Sequence, residues 1–373
     1  MRIALVSPNY HPRTCGVGDY SMRVAQELMR RRIEVRVFTR APAEPHPEAP
    51  EVPVASVRDR GPRQVAVDLA RAVTAWAPRE AWLQYTSQMF GASRLGSPAM
   101  AWLARRLRAS GIRVQLVAHE LFIPWSARPD LMLGAALQRA WLSALLSGSE
   151  RAVVTTPSRL EAIRRFPRGR EEGFARVVPV GANALPVERQ TSGRFLLGTY
   201  STLSAGKRFD VVLRAFASVA ARLPDAGLVV IGDLGDARSA RLRRFRRAVS
   251  RHPAASRIEM TGRLSLRGVS ERVAALDVFL FPTDTGASTR SGTLPLALGT
   301  GVPVIAVGGI ETSDLFRDGE NMALAPGLTG DAFADAALRL HRDGEFARRV
   351  GEGGRTLYRE RLAWPVIVDA LLG

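Results

Sequence analysis

Lys207 is the only lysine in the chain; every other side chain in the Lys+Arg total of 53 is arginine. It stands in the stretch GTYSTLSAGKRFD, residues 198–210, after an apolar run and before an amphipathic one. An ammonium placed between a strand and a helix start can pair with a phosphate as a compact point charge. A surface lysine left by chance is the plainer account. His119 is a second candidate, in the sequence VAHE at the end of another apolar run. Carboxyl ends of strands in open α/β sheets face the ligand crevice. An imidazole there can donate to a sugar hydroxyl or stabilise a developing charge, and it can equally be a satisfied core histidine. Gly16 and Gly18, in TCGVGDY, would let backbone approach a ligand just before a helix start, which attracts negative charge. Ser21 occupies the place of the third glycine of a dinucleotide fingerprint, and an ordinary tight turn would use the same two glycines.

The stretch FPTDTGASTRSGTLPLALGTGVP, residues 281–303, is the fourth candidate. The hydroxyls of Ser288, Thr289, Ser291 and Thr293, with backbone N–H groups around Gly292 at a helix start, could form a phosphate cradle. Arg290 could add a charge-assisted bond. Ser291 or Thr293 capping the helix is the alternative use of the same side chains.

Other chemistries find little support. There is no nucleophile elbow and no H-E-x-x-H helix, and Gly206-Lys207 is followed by Arg208, not by the Ser or Thr of a P-loop. The single cysteine, Cys15, offers no intramolecular disulfide and no thiolate metal cluster. The formal net charge is +18. A compositional drift toward arginine accounts for the missing lysines but not for the excess of base over acid. That excess favours an anionic partner, either a nucleotide or an anionic lipid surface. Nucleic acid is not expected, because neither zinc-finger spacing nor a basic stretch with interleaved aromatics is present. The run RLRRFRRAVSR, residues 241–251, reads as a solvated helix face. Ile3–Val6, cut off by Pro8, is too short for a signal peptide, and no run approaches the roughly 20 apolar residues of a membrane span. The expected location is the cytoplasm.

The elements that must position these residues follow from the apolar patterning. Strands are expected over 2–7, 34–39, 81–85, 113–119, 152–156 and 176–180, with an amphipathic helix over 19–32 and a Pro-rich surface loop over 41–53. The alternation then restarts, with strands over 195–201, 227–232, 258–262, 278–282 and 303–307 and helices over 210–222 and 293–299. Two successive strand–helix sets, in a chain of 373 residues, imply two α/β domains with parallel sheets. Residues 181–193 read as the linker.

At these residues the chain resembles the retaining, nucleotide-sugar-dependent glycosyltransferases of family 4 (group 1). The likeness runs through SPNYHPRTCGVGDYSMRVAQEL, VAHE, VVTTPSRLEAIRR, VVPVGAN, SAGKRFDVVLRAF, ALDVFLFPTD, GTGVPVIAVGG and DLFRDGENMALAP, in that order. The resemblance implies a GT-B fold, with two Rossmann-like parallel-sheet domains facing across a cleft. It implies an N-terminal acceptor domain over 1–185, joined by a last helix over 363–373 that crosses back, and a donor domain over 186–362. It further implies that Gly16 and Gly18 approach the donor phosphate or sugar, that His119 contacts the transferred sugar, and that Lys207 neutralises the departing diphosphate. Gly262 and Arg263 would meet the nucleobase, and Ser288–Thr293 would hold sugar and phosphates. The substrates implied are a nucleotide-sugar donor and a glycan or lipid-linked acceptor, with no metal or other cofactor and with peripheral contact with an anionic membrane.

The chain departs from the family pattern at three places. The arginine usual five residues before the lysine is Thr202, and the two glutamates, separated by seven residues, usual before the last helix are Ser288 and Leu296. The segment RSGTL, residues 290–294, is similar to that of a divergent branch, and Arg290 could replace the lost arginine. The missing carboxylates also fit a non-catalytic nucleotide-sugar or glycan-binding protein. A non-hydrolysing epimerase would need carboxylates for proton abstraction, for which only Glu120 and Asp284 are candidates.

Overall fold

The computed structural model describes residues 1–13, 15–87, 95–190, 193–203, 206–236 and 238–373. Thr14, which opens the glycine stretch, and Ser204–Ala205, just before Lys207, lie outside the described residues. Two compact units divide the chain, Met1–Pro179 with Ile367–Gly373, and Val180–Val366.

The first unit is built on a parallel sheet of β1 (Arg2–Val6), β2 (Glu34–Arg40), β3 (Val54–Val57), β4 (Glu80–Tyr85), β5 (Arg113–Ala118), β6 (Arg151–Val154) and β7 (Ala175–Val177). The strands lie in the order β3-β2-β1-β4-β5-β6-β7. Its helices are α1 (Gly16–Arg30), α2 (Pro62–Trp76), α3 (Ala99–Ala109), α4 (Pro129–Ser147) and α5 (Pro157–Ile163). Central strands such as β1 and β4 are buried along almost their whole length, as befits parallel strands covered on both faces. Buried Glu80 opens β4 without cost to the core, because it accepts from Trp82 Nε1 and Arg151 Nη2, both at 2.9 Å, and also pairs with Arg113.

The second unit holds β8 (Leu196–Tyr200), β9 (Gly227–Ile231), β10 (Ile258–Met260), β11 (Val278–Leu280), β12 (Val304–Val307) and β13 (Ala323–Ala325). Their order is β10-β9-β8-β11-β12-β13, again with every pair parallel. The helices are α6 (Phe209–Arg222), α7 (Ala240–Ser250), α8 (Leu266–Ala274), α9 (Leu294–Thr300), α10 (Gly330–Arg342) and α11 (Gly344–Leu357), followed by α12 (Trp364–Leu372). Successive side chains of each strand point to opposite faces. Leu197, Val230 and Leu280 therefore join one apolar core and Leu196, Val229 and Phe279 the other. The end of α12 belongs to the first unit: Arg151 and Arg176 donate to the carbonyls of Leu372 and Leu371, each at 3.2 Å, satisfying acceptors that a helix C-terminus leaves open.

Two elements differ from the sequence pattern. β3 follows directly on the Pro-rich loop and is an edge strand with half-buried side chains, so it lacks the apolar run that marks a covered strand. The segment from Gly181 is no free linker. Val180 N–H donates to Thr289 O at 2.8 Å, Ala182 and Ala184 are wholly buried, and Trp364 Nε1 donates to Ala182 O at 2.8 Å. Its small residues serve close packing, which composition does not distinguish from flexibility.

Candidate functional site

In an open parallel sheet the crevice lies where strand order reverses, beyond the carboxyl ends of the two strands that meet there. In the second unit those strands are β8 and β11, which pair through Leu197–Val278 and Gly198–Phe279. The loop after β8 carries Lys207, and the loop after β11 carries Ser288–Thr293. Topology therefore brings together two of the candidate stretches. Lys207 forms an antiparallel bridge with Thr283, and Arg208 N–H donates to Pro282 O at 3.0 Å, so the two loops are stitched by backbone.

The Lys207 ammonium lies 4.6 Å from the centroid of the Phe281 ring, an attractive cation–π placement. Among the described residues it pairs with no carboxylate; the nearby carboxylates Asp210 and Asp284 are taken by Arg208, at 2.8 and 3.5 Å. Burial, and then the neighbouring Arg290 guanidinium, push the Lys207 pKa from its ordinary value of 10.5 down to about 8. This is a partly desolvated cation beside a second cation, a costly arrangement that an anion would relieve.

The loop after β11 divides its labour. Ser288 and Thr289 are buried. Ser291 Oγ accepts from the N–H groups of Thr293 at 3.2 Å and Leu294 at 3.4 Å, so this hydroxyl serves the start of α9. Thr293 Oγ1 lies 2.9 Å from Ser291 Oγ. Gly292 lies close to Asn183: a Cβ there would lie 2.9 Å from Asn183 Oδ1. Arg290 alone among these side chains projects outward, and its Nε sits 2.7 Å from Glu311 Oε2. Gly262, two residues beyond β10, has a φ of +66° and bridges Gly232, while Arg263 is exposed beside it. This is a bend of backbone at the edge of the same sheet end.

In the first unit, His119 follows β5. Its Nε2 lies 2.8 Å from Gln84 Oε1, and its ring meets Tyr20 of α1 edge-on at 4.8 Å. Burial, with the positive charge of Arg159, lowers the His119 pKa to about 3, so the ring is neutral at physiological pH. With its Nε2 proton given to Gln84, Nδ1 remains as an acceptor for a hydroxyl. The donor role open from sequence is thus taken within the protein. The contact with Tyr20 places the beginning of α1 beside His119. Gly16 opens that helix, and Cys15 gives it no side-chain cap, so its first N–H groups keep their donor capacity. A Cβ on Gly18 would stand 3.1 Å from Asn9 O, the close approach that the glycine allows. Asp284 is engaged by Arg208 and Glu120 is exposed. Among the described residues, no group of three or more His, Cys, Asp and Glu side chains is placed to hold a metal ion, and no helix is long and apolar enough to cross a membrane.

Two family descriptions match the chain: "Glycosyltransferase Family 4" over residues 14–184 and "Glycosyl transferases group 1" over residues 194–343. The chain belongs to the group 1, family 4 glycosyltransferases. Comparison with curated proteins by sequence returns no match. Solved structures of the GT-B fold align over nearly the full length. Sucrose-phosphate synthase from Thermosynechococcus elongatus is 18% identical, with a TM-score of 0.75 over 99% of this chain and 97% of that one. Anabaena HepE in complex with UDP-glucose is 14% identical, with a TM-score of 0.75 over 100% and 98%. A glycosyltransferase from Rickettsia africae is 12% identical, also at 0.75, over 100% and 96%. Within this glycosyltransferase, the positions that depart from the family pattern have ordinary structural roles. Thr202 is exposed, Ser288 is buried, and Leu296 is fully buried in the apolar core beneath α9, where a carboxylate would be desolvated. Glu311 carries no motif of its own in the sequence. The only local signal for it is the Gly308-Gly309 pair after a buried strand, which marks a tight turn at a strand's carboxyl end.

Proposed function

We propose that the chain transfers a sugar, with retention of anomeric configuration and without a metal ion, from a nucleoside diphosphate sugar to a glycan or lipid-linked acceptor. The observation that carries this is the Lys207 ammonium, held against Phe281 with Arg290 beside it and with no carboxylate partner among the described residues. In the step envisaged, the bond between the anomeric carbon and the diphosphate oxygen breaks, and its electron pair leaves on the diphosphate. The acceptor oxygen bonds to the same face of that carbon, and its proton goes to the departing diphosphate. Lys207 and Arg290 stabilise the charge that develops on the leaving group, an electrostatic contribution that needs no protein base. Those two cations take the part a divalent ion plays elsewhere. Neutral His119 accepts a hydrogen bond from a sugar hydroxyl through Nδ1 and so orients the ring. The UDP, glucose and UDP-glucose held by HepE crystals support a nucleotide-sugar donor. The test is turnover of a panel of nucleotide sugars with EDTA present, with the anomeric configuration of the product read by NMR. Release of nucleoside diphosphate with a retained linkage supports the proposal. An inverted product, or activity that EDTA abolishes, contradicts it, and the lack of any turnover favours a binding protein on the same scaffold.

Peripheral contact with an anionic membrane is proposed on a narrower basis. α3 buries Ala101, Leu103, Ala104 and Leu107 in the core and leaves Trp102, Arg105, Arg106 and Arg108 exposed. Such a basic edge with an aromatic is suited to a negatively charged bilayer surface. Changing the three arginines to alanine is expected to reduce sedimentation with anionic vesicles; unchanged sedimentation would remove the idea.

A further inference from the structure

The carboxylates usual in the family at Ser288 and Leu296 are absent, yet one carboxylate does reach the cationic site, from a different element. Glu311 lies in the turn after β12, and its side chain is only 15% exposed, whereas that of its partner Arg290 is 40% exposed. The turn is fixed by its own backbone. Glu311 N–H donates to Thr285 O at 3.0 Å, Gly309 N–H donates to Thr312 Oγ1 at 2.9 Å, and Ser288 bridges Thr312. Two glycines make this interlock possible: a Cβ on Gly286, whose φ is +84°, would lie 2.4 Å from Thr312 Oγ1, and one on Gly309 would lie 2.5 Å from Thr285 O.

We propose that Glu311 is a positioning residue that holds the Arg290 guanidinium beside Lys207, so that both cations meet the same diphosphate; this rests on the nucleotide-sugar reading above. Lys207 and Arg290 repel one another. An exposed guanidinium with no tether would turn away toward water. The remaining charges around Lys207 do not supply the tether, because Arg208 is occupied by Asp210 and Asp284. Glu311 Oε2 stands 2.7 Å from Arg290 Nε as an ion pair, and among the described residues Nη1 and Nη2 bond no other group, which leaves the planar fork open to phosphate oxygens. The loops that carry the two cations are joined at the Lys207–Thr283 bridge, and the positive charge of Arg290 acts on Lys207. Arg290 thereby does the work of the arginine missing at Thr202, and Glu311, not a carboxylate on the β11 loop, keeps it in place.

The experiment is calorimetric titration with inorganic pyrophosphate and with UDP, GDP, ADP and dTDP across pH 7 to 10, on wild type, Lys207→Ala, Arg290→Ala, Glu311→Ala, Glu311→Gln and the Arg290→Ala/Glu311→Ala double variant. Glu311→Ala is expected to weaken binding roughly fivefold to tenfold, and the double variant to bind no worse than Arg290→Ala alone, because Glu311 acts through Arg290. The pH midpoint of binding assigned to Lys207 should rise from about 8 as Arg290 leaves, which a merely structural role would not produce. Glu311→Gln keeps the shape of the side chain and removes only the charge of the ion pair, and should move the midpoint the same way. It also serves as the test if the alanine variant does not fold. Wild type that binds neither pyrophosphate nor any nucleotide overturns both readings. Wild type that binds, loses affinity in Lys207→Ala and keeps both affinity and midpoint in the Glu311 variants overturns this inference alone. A Glu311→Ala loss that persists undiminished in the Arg290→Ala background does the same.

Discussion

Replacing Lys207 by methionine should make the empty protein more stable while destroying its affinity for a diphosphate. The Lys207 pKa falls from 10.5 to about 8, chiefly through burial and then through Arg290. At about 1.4 kcal/mol per pH unit, the charged side chain costs up to about 3 kcal/mol at neutral pH. The cation–π contact with Phe281 returns about 1 kcal/mol. Methionine fills a similar volume, carries no charge and keeps contact with the ring. A net gain of about 1–2 kcal/mol is expected, or roughly 2–8 °C in Tm for a unit of this size. The pH dependence has a definite sign. The unfolded chain holds the lysine proton to higher pH than the folded one, so wild-type stability rises between about pH 8 and 10.5. The advantage of the methionine variant should therefore be complete below pH 8 and vanish as pH approaches 10.5. Calorimetric melting of both proteins at pH 7 and at pH 10, with and without pyrophosphate, measures it. A methionine variant that is no more stable than wild type at pH 7, or that keeps its pyrophosphate-induced shift, would refute the reasoning from burial to binding.

Three further outcomes follow from the geometry. His119→Ala should leave nucleoside diphosphate affinity within about twofold of wild type and lower kcat by roughly 10²-fold, measured by nucleotide release, because the contact proposed for the imidazole is with the sugar and not with the phosphates. Ser291→Ala removes the acceptor shared by the Thr293 and Leu294 N–H groups and should cost about 1 kcal/mol in urea unfolding, with a smaller effect on affinity. Gly286→Ala places a Cβ against Thr312 Oγ1 and Gly309 N at a positive φ; it should cost about 2–3 kcal/mol and weaken binding as well, since it displaces the turn that carries Glu311.

Much of the architecture could be read from apolar runs such as GLVVI and RIALV, because strands covered on both faces need uninterrupted apolar side chains. Candidate site residues stand out where composition or position singles them out: a single lysine among so many arginines, and a histidine closing a buried strand. Pairings that depend on strand order do not. Arg290 and Glu311 follow β11 and β12, and only the sheet order shows that their loops interlock next to Lys207. The hydroxyls of the RSGTL region illustrate the opposite limit. From sequence, a phosphate cradle and a helix cap look alike, and the positions of Ser291 and its two N–H partners assign that hydroxyl to the helix. Gly181–Ala184 looked like a linker for a related reason, since small residues mark both flexible and tightly packed backbone.

Lys207 is proposed as the anchor of a donor diphosphate. Calorimetric titration of UDP, GDP, ADP and dTDP into wild type and Lys207→Ala, with EDTA throughout, tests it most directly. Saturable binding of one nucleotide to wild type, weakened about 100-fold or more in the variant, is the predicted result. Equal binding by both proteins, or no binding of any of the four to wild type, would contradict it.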